Sequence, residues 1–168
     1  ETVFIEPAFV IPATHTQIPK RSMSTFEDIF KTDLVNKQKE TVNGSALEGK
    51  VILLYFSAHW CPPCRGFTPK FKEFYDKLVA AKKNVACVFV TSDRDEESFW
   101  SYFSNDHADY YALPFGSPMI GVLKSKYSIS GIPTLLVVKA NGEVIEEGAR
   151  GDVMKDDISV FDKWASQM

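Results

Sequence analysis

Three cysteines in 168 residues are too few, and too odd in number, to staple a secreted domain together. No apolar run approaches the roughly 18 residues that a membrane span requires. Neither sign of charge prevails. The 19 basic and 22 acidic side chains leave a net charge of −3, which gives no electrostatic reason to expect nucleic acid or an anionic membrane as partner. A zinc site takes four ligands, commonly two close cysteine pairs or one pair with two spaced histidines. Here there is one close pair, and His15, His59 and His107 lack the H-x₃₋₅-H spacing. Internal repeats and low-complexity segments are missing as well. A metal site, a disulfide-held scaffold, a membrane span and a nucleic-acid binder are thereby set aside, and no bound cofactor is called for.

What remains is ample core material: 45% of the residues are hydrophobic and 13% aromatic, enough for one domain with a short extra segment. Residues 1–22 form that segment. They hold Pro7, Pro12 and Pro19 without a helical period. Proline fixes φ and removes backbone donors, so an extended or disordered N-terminal extension is expected, followed by a domain over 23–168. Continuous apolar runs at 51–58, 85–92 and 134–140 read as strands covered on both faces. Phe67, Phe71, Phe74, Tyr75 and Leu78 recur at helical spacing over 62–82, with Pro69 expected to bend that helix. Asp93 and Glu96 resemble a capping box that opens a helix running to about residue 104. Further helices are expected at 118–127 and 155–166. Asn141-Gly142 predicts a type I′ hairpin into an alternating strand, 143–149. Strand–helix–strand order gives parallel strands with a right-handed crossover, and the hairpin makes the sheet mixed. The predicted fold class is α/β, a central mixed β-sheet flanked by helices on both faces. Cys87, mid-strand among apolar residues, is expected to be a core side chain.

The chemistry is concentrated in "SAHWCPPCRGF", residues 57–67. The strand ends just before Trp60 and the helix starts just after Cys61. Pro62 suits the first turn, where a missing N–H costs nothing. Cys61 therefore sits where unpaired backbone N–H groups and the positive end of the helix dipole favour thiolate over thiol. That makes Cys61 the candidate nucleophile. Cys64, one turn further in and more buried, is the candidate resolving thiol. Pro62 and Pro63 stiffen the spacer between them. A purely structural disulfide here would close a tiny loop and gain little. Trp60 reads either as an exposed platform for substrate or as packing under the loop. His59 and Arg65 read either as modulators of Cys61 or as solvated surface.

"WCPPC" after a "YFSA" strand, together with "TSDRDEESFWSYF", "ALPF" and "YSISGIPTLLVV", resembles the thioredoxin superfamily. Within it the chain looks most like the tryparedoxin and nucleoredoxin branch, over about residues 45–150. The resemblance implies a thioredoxin-like fold and dithiol–disulfide exchange by Cys61 and Cys64. It implies too that the Ile132–Pro133 bond is cis and faces the cysteines. Trp60, Pro62, Pro63, Ile132 and Pro133 then line the substrate-binding face, with the Ile132 backbone open to pairing with an extended substrate. Two places depart from the pattern. Many thioredoxins carry a buried aspartate six residues before the nucleophile, where this chain has Tyr55, so proton transfer with Cys64 falls to water or to a carboxylate such as Asp93 or Glu96. The segment "DHADYY", 106–111, replaces a Met-Pro-Trp-type segment, and Ser92 stands where tryparedoxins tend to have tryptophan. The "HWCPPC" and "SDR-EES" spellings lean towards nucleoredoxin.

The expected function is that of a thiol–disulfide oxidoreductase that reduces protein or small-molecule disulfides. Its expected partners are disulfide-containing proteins and, as electron source, an upstream reductase or a low-molecular-weight dithiol. A nucleoredoxin-like, redox-controlled partner-binding module is the alternative, and a passive scaffold with a vestigial pair is a third. One close pair plus one leftover cysteine points to a reducing compartment, cytoplasmic or also nuclear. The chain starts at Glu1 rather than methionine, so an organellar destination through a removed targeting peptide stays open.

Overall fold

The computed structural model describes residues 25–168, and the extension expected over 1–22 lies outside them. Seven strands among these residues, β1 (Asp33–Val35), β2 (Thr41–Asn43), β3 (Val51–Ser57), β4 (Val85–Thr91), β5 (Tyr111–Ala112), β6 (Thr134–Val138) and β7 (Val144–Glu146), join one sheet in the order β2-β1-β5-β4-β3-β6-β7. β3 runs parallel to β4, and β4 to β5. β6 is antiparallel to β3, β7 to β6, β1 to β5 and β2 to β1. The sheet is thus mixed, as the hairpin required. β3 and β4 are buried at every residue, which is why their sequences run apolar without alternation.

Among the described residues five helices, α1 (Pro62–Ala80), α2 (Glu96–Asp106), α3 (Pro118–Lys126), α4 (Ala149–Lys155) and α5 (Val160–Ala165), and two short 3-10 turns cover the sheet. Successive strand residues point to opposite faces, so β3 feeds two cores. Leu53 and Tyr55 pack with Cys87 and Phe89 under α1, α2, α4 and α5. Ile52, Leu54 and Phe56 pack with Met119 and Leu123 of α3 and with Phe26, Ile29 and Leu47 of the 3-10 turns. Cys87 is a fully buried core residue, and burial pushes its thiol pKa up. Gly44 joins the two turns: its N–H donates to Thr32 O at 2.8 Å, and a Cβ there would meet Ile29 O at 1.7 Å, so only glycine fits. No helix among the described residues is long and apolar enough to cross a membrane.

The structure corrects several local expectations. The 139–143 loop is not a type I′ turn, because of its residues only Gly142 has positive φ, at 88°. Gly142 N–H donates to Lys139 O, and Lys139 N–H to Glu143 O, the pattern of a three-residue loop closed by a left-handed glycine. The following strand stops at Glu146. Its carboxylate takes the Gly148 N–H, and the chain turns into α4. The helix expected at 155–166 is shortened to α5, Val160–Ala165, and it is preceded by an unexpected helix, α4, which ends where Asp156 adopts left-handed φ 53°. Pro69 lies inside α1 and does not end it. The N-cap of α2 is Asp95, not Asp93. Asp95 accepts the Ser98 N–H at 2.7 Å and the Ser98 hydroxyl at 2.9 Å, and these bonds hold its carboxyl below the usual range.

Candidate active site

β3 delivers the chain to the sheet's carboxyl end, where Ala58 is buried and Trp60 is 49% exposed. Cys61 is the N-cap of α1, with Pro62 and Pro63 in the first turn. Proline at these positions forfeits only N–H groups that a helix start leaves unpaired. The Cys64 N–H donates to Cys61 Sγ at 3.3 Å, so the sulfur serves as the capping acceptor. The two cysteines are joined as a disulfide, with Cα atoms 5.2 Å apart. Cys61 is 3% exposed and Cys64 wholly buried, so the outer sulfur is the accessible one.

The loop before β6 closes over the pair. Ile132 packs against Ala58, Cys61 and Cys64, and its carbonyl oxygen lies 3.7 Å from Cys61 Sγ. The Ile132–Pro133 bond is cis. A groove of about 630 Å³ leads from Ile132 and Pro133 past Gly131 towards Glu147 and Arg150. Arg150 ties the groove to α1: its Nη1 donates to Pro133 O at 3.0 Å, and its guanidinium lies 5.6 Å from the Phe67 ring centre.

On the other side Trp60 is held, though exposed. Its Nε1 donates to Ser92 O at 2.9 Å, and the Arg94 guanidinium sits 4.8 Å over the ring, a cation–π contact. One indole face is thereby occupied and the ring is kept beside Cys61. Asp93 is 9% exposed and its two oxygens are engaged, one by the His59 N–H at 2.8 Å and the other by the Thr91 hydroxyl at 2.8 Å. It ties the loop before Cys61 to the end of β4. Glu96 accepts a 3.4 Å bond from Trp100 Nε1 on the surface of α2. Among the described residues no three His, Cys, Asp or Glu side chains come together as a metal site would need.

The structure brings Cys61, Cys64, Trp60, Pro62, Pro63, Ile132 and Pro133 to one end of the sheet. It adds Arg94 and Arg150: Arg94 lies in the TSDRDEESFWSYF stretch, yet the sequence does not show that it stacks on Trp60, and Arg150 stands in no such stretch. It also places His107 behind the site. That ring is fully buried among Phe89 and Tyr102, each 4.3 Å away between ring centres, with Tyr55 at 5.7 Å. Its Nδ1 bonds the Tyr110 hydroxyl, while Lys37 Nζ donates to the His107 carbonyl at 2.8 Å. Burial, with Lys37 adding to it, holds the imidazole pKa well below the ordinary value.

A stability prediction follows from the buried imidazole. The unfolded chain protonates His107 near pH 6.5, whereas the folded chain keeps it neutral to lower pH. Its contribution is complete above pH 6.5 and is lost as pH falls, by up to about 1.4 kcal/mol per pH unit. Urea unfolding at pH 7.5, 6.0 and 5.0 should show this slope, and His107→Phe should flatten it. An equal slope in both proteins would show that other groups are responsible.

Residues 49–144 match a family model described as thioredoxin-like. The chain is 42% identical over 117 residues to probable nucleoredoxin 1 of Arabidopsis thaliana, covering 70% of this chain and 20% of that protein. It is 41% identical over 127 residues to tryparedoxin of Trypanosoma brucei brucei, covering 74% of this chain and 85% of that one. A thioredoxin crystal structure from Wuchereria bancrofti superposes with a TM-score of 0.71 at 40% identity, covering 83% of this chain and 98% of that one. The chain thus spans only about a fifth of the length of the plant nucleoredoxin. With the mixed sheet, the Cys61–Cys64 disulfide at a helix start and these likenesses together, the chain belongs to the thioredoxin-like family as a redox protein related to nucleoredoxins and tryparedoxins.

Proposed function

We propose that the protein reduces disulfides, those of proteins foremost, by cycling Cys61 and Cys64 between dithiol and disulfide. The supporting observation is the placement of Cys61 Sγ. It caps α1 and accepts the Cys64 N–H, so the site offers a hydrogen bond and the positive helix end to a thiolate. In the reduced protein the Cys61 thiolate attacks one sulfur of a substrate disulfide. A mixed disulfide forms, and the first substrate thiolate leaves and takes a proton from water. Cys64 then attacks the Cys61 sulfur, its proton goes to solvent, and the second substrate thiol departs. The substrate gains two electrons, and the protein ends with the Cys61–Cys64 bond. A low-molecular-weight dithiol or a reductase restores the dithiol. Trp60, Pro62, Pro63, Ile132 and Pro133 form the face on which the substrate lies. Pro133 offers no N–H there, while the main chain of Ile132 and the adjoining groove suit an extended segment.

Cys64→Ser tests this assignment. With the resolving thiol gone, the Cys61 mixed disulfide should accumulate on incubation with an oxidised protein substrate, appear as a reducible adduct by mass spectrometry and map to Cys61. Adducts on Cys87, or none at all, would refute the assignment. Partners retained without a covalent bond, and only by the reduced wild type, would instead favour a redox-controlled binding module.

A further inference from the structure

Beneath the first turn of α1 four hydroxyls meet. Thr68 Oγ1 lies 2.8 Å from Cys64 O, 2.5 Å from the Tyr55 hydroxyl of β3 and 2.5 Å from the Tyr102 hydroxyl of α2. The Tyr102 hydroxyl also lies 2.6 Å from Ser57 Oγ. Tyr55, Ser57, Thr68 and Tyr102 have no exposure to solvent.

Counting protons fixes the direction of each bond. A hydroxyl has one proton to donate and two lone pairs. A carbonyl only accepts, so Thr68 gives its proton to Cys64 O. Tyr55 and Tyr102 must then both donate to Thr68 Oγ1, filling its lone pairs. Tyr102, its own proton used, accepts from Ser57. Burial raises the phenol pKa of both Tyr55 and Tyr102, so both protons are present at neutral pH. Every donor points towards the Cys64 carbonyl, and the chain ends there on a group with no proton to pass on. It is therefore an anchor and not a route for the Cys64 proton. Cys64 is gripped at both main-chain polar groups, its C=O by Thr68 and its N–H on Cys61 Sγ at 3.3 Å.

We propose that Thr68, oriented by Tyr55 and Tyr102, is a positioning residue of the redox centre that holds the Cys64 N–H on the Cys61 sulfur once the disulfide is open and that sulfur is charged. A hydrogen bond to a charged acceptor is about twice as strong as a neutral one and depends on alignment, so slack at Cys64 weakens the hold on the thiolate. The inference rests on Cys61 being the thiolate of the proposed reaction.

The test is the pH dependence of Cys61 alkylation by iodoacetamide in the reduced full chain, read by peptide mass. It requires no substrate. Thr68→Val removes the hydroxyl at nearly constant volume. It should slow Cys61 alkylation at pH 6 by about fivefold, equivalent to a thiol titrating somewhat higher. Thr68→Ser, which restores the hydroxyl, should titrate like wild type. A merely structural role would lower the unfolding midpoint of Thr68→Val and leave its Cys61 titration unchanged, which would overturn the proposal. If Thr68→Val does not fold, Tyr102→Phe takes its place, with a shift of about twofold in the same direction, and an unchanged titration again overturns it. Absence of disulfide turnover by wild type would defeat the proposed function while leaving these titrations to stand.

Discussion

Cys61→Ser is expected to bring the reduction of an insulin-type disulfide down to the rate of free dithiol alone. In the proposed reaction sulfur at this position is attacked in the oxidised protein and, as thiolate, attacks in the reduced one. A serine hydroxyl ionises far above neutral pH and is a weak nucleophile without an activating base. Among the described residues no basic side chain bonds the Cys61 sulfur; besides its disulfide partner Cys64, its neighbours are the Cys64 N–H and the Ile132 carbonyl oxygen. Nor can Cys64 act instead, because it is wholly buried behind the first turn of α1. The measurement is turbidity or thiol release with excess dithiol, comparing wild type, Cys61→Ser and Cys64→Ser. Wild type must exceed free dithiol, and activity in Cys61→Ser above that baseline would remove Cys61 from the mechanism. Cys64→Ser should complete the first attack and then stall, because the mixed disulfide has no internal thiol to resolve it.

The second large effect concerns stability. Phe89→Ala should cost about 3–5 kcal/mol, the usual range for deleting a buried phenyl ring. Phe89 sits on central strand β4, opposite Tyr55 of β3 and Ala112 of β5, without exposure. Its ring touches Phe99, Tyr102, Phe103 and His107, with centres between 4.3 and 5.9 Å away. These partners come from α2 and the turn after it, so the ring fastens that helix to the sheet. Removing it opens a cavity that a rigid β4 cannot close. Urea unfolding should show the loss, accompanied by a melting point lower by roughly 10 °C. A loss under about 1 kcal/mol would mean that the aromatic box relaxes far more freely than a close-packed core does. Because Tyr102 leans on the same ring, residual activity in this variant should fall more than its folded fraction does.

The parts of the fold that were legible in the sequence are those whose causes are local. β3 and β4 are buried on both faces, so their residues are apolar without interruption. α1 shows its buried stripe from Phe67 to Leu78 because every third or fourth residue meets the sheet. The disulfide's place at a helix start follows from Pro62 beside Cys61. The strands β1, β2 and β5 are two or three residues long, too short for alternation to register. The α2 cap was misplaced by two residues because Asp93 looks like a cap, yet its oxygens are taken by His59 and Thr91. Arg94 over Trp60, Arg150 on Pro133 and Thr68 under Cys64 depend on which elements end up adjacent. Thr68 in particular reads as an unremarkable polar residue in a helix until Tyr102, 34 positions away, is brought to it.

The two flanks of the sheet carry one more consequence. β2 and β7 are three residues each, with Thr41, Asn43 and Val144 exposed. So short a ladder leaves few free N–H and C=O groups in a row, and fibril growth depends on just such a row as a template. The long apolar strands β3 and β4, which would be the hazardous ones, lie inside the sheet with partners on both sides. Among the described residues the fold therefore offers a crowding copy of itself only two three-residue edges, and no long strand to extend.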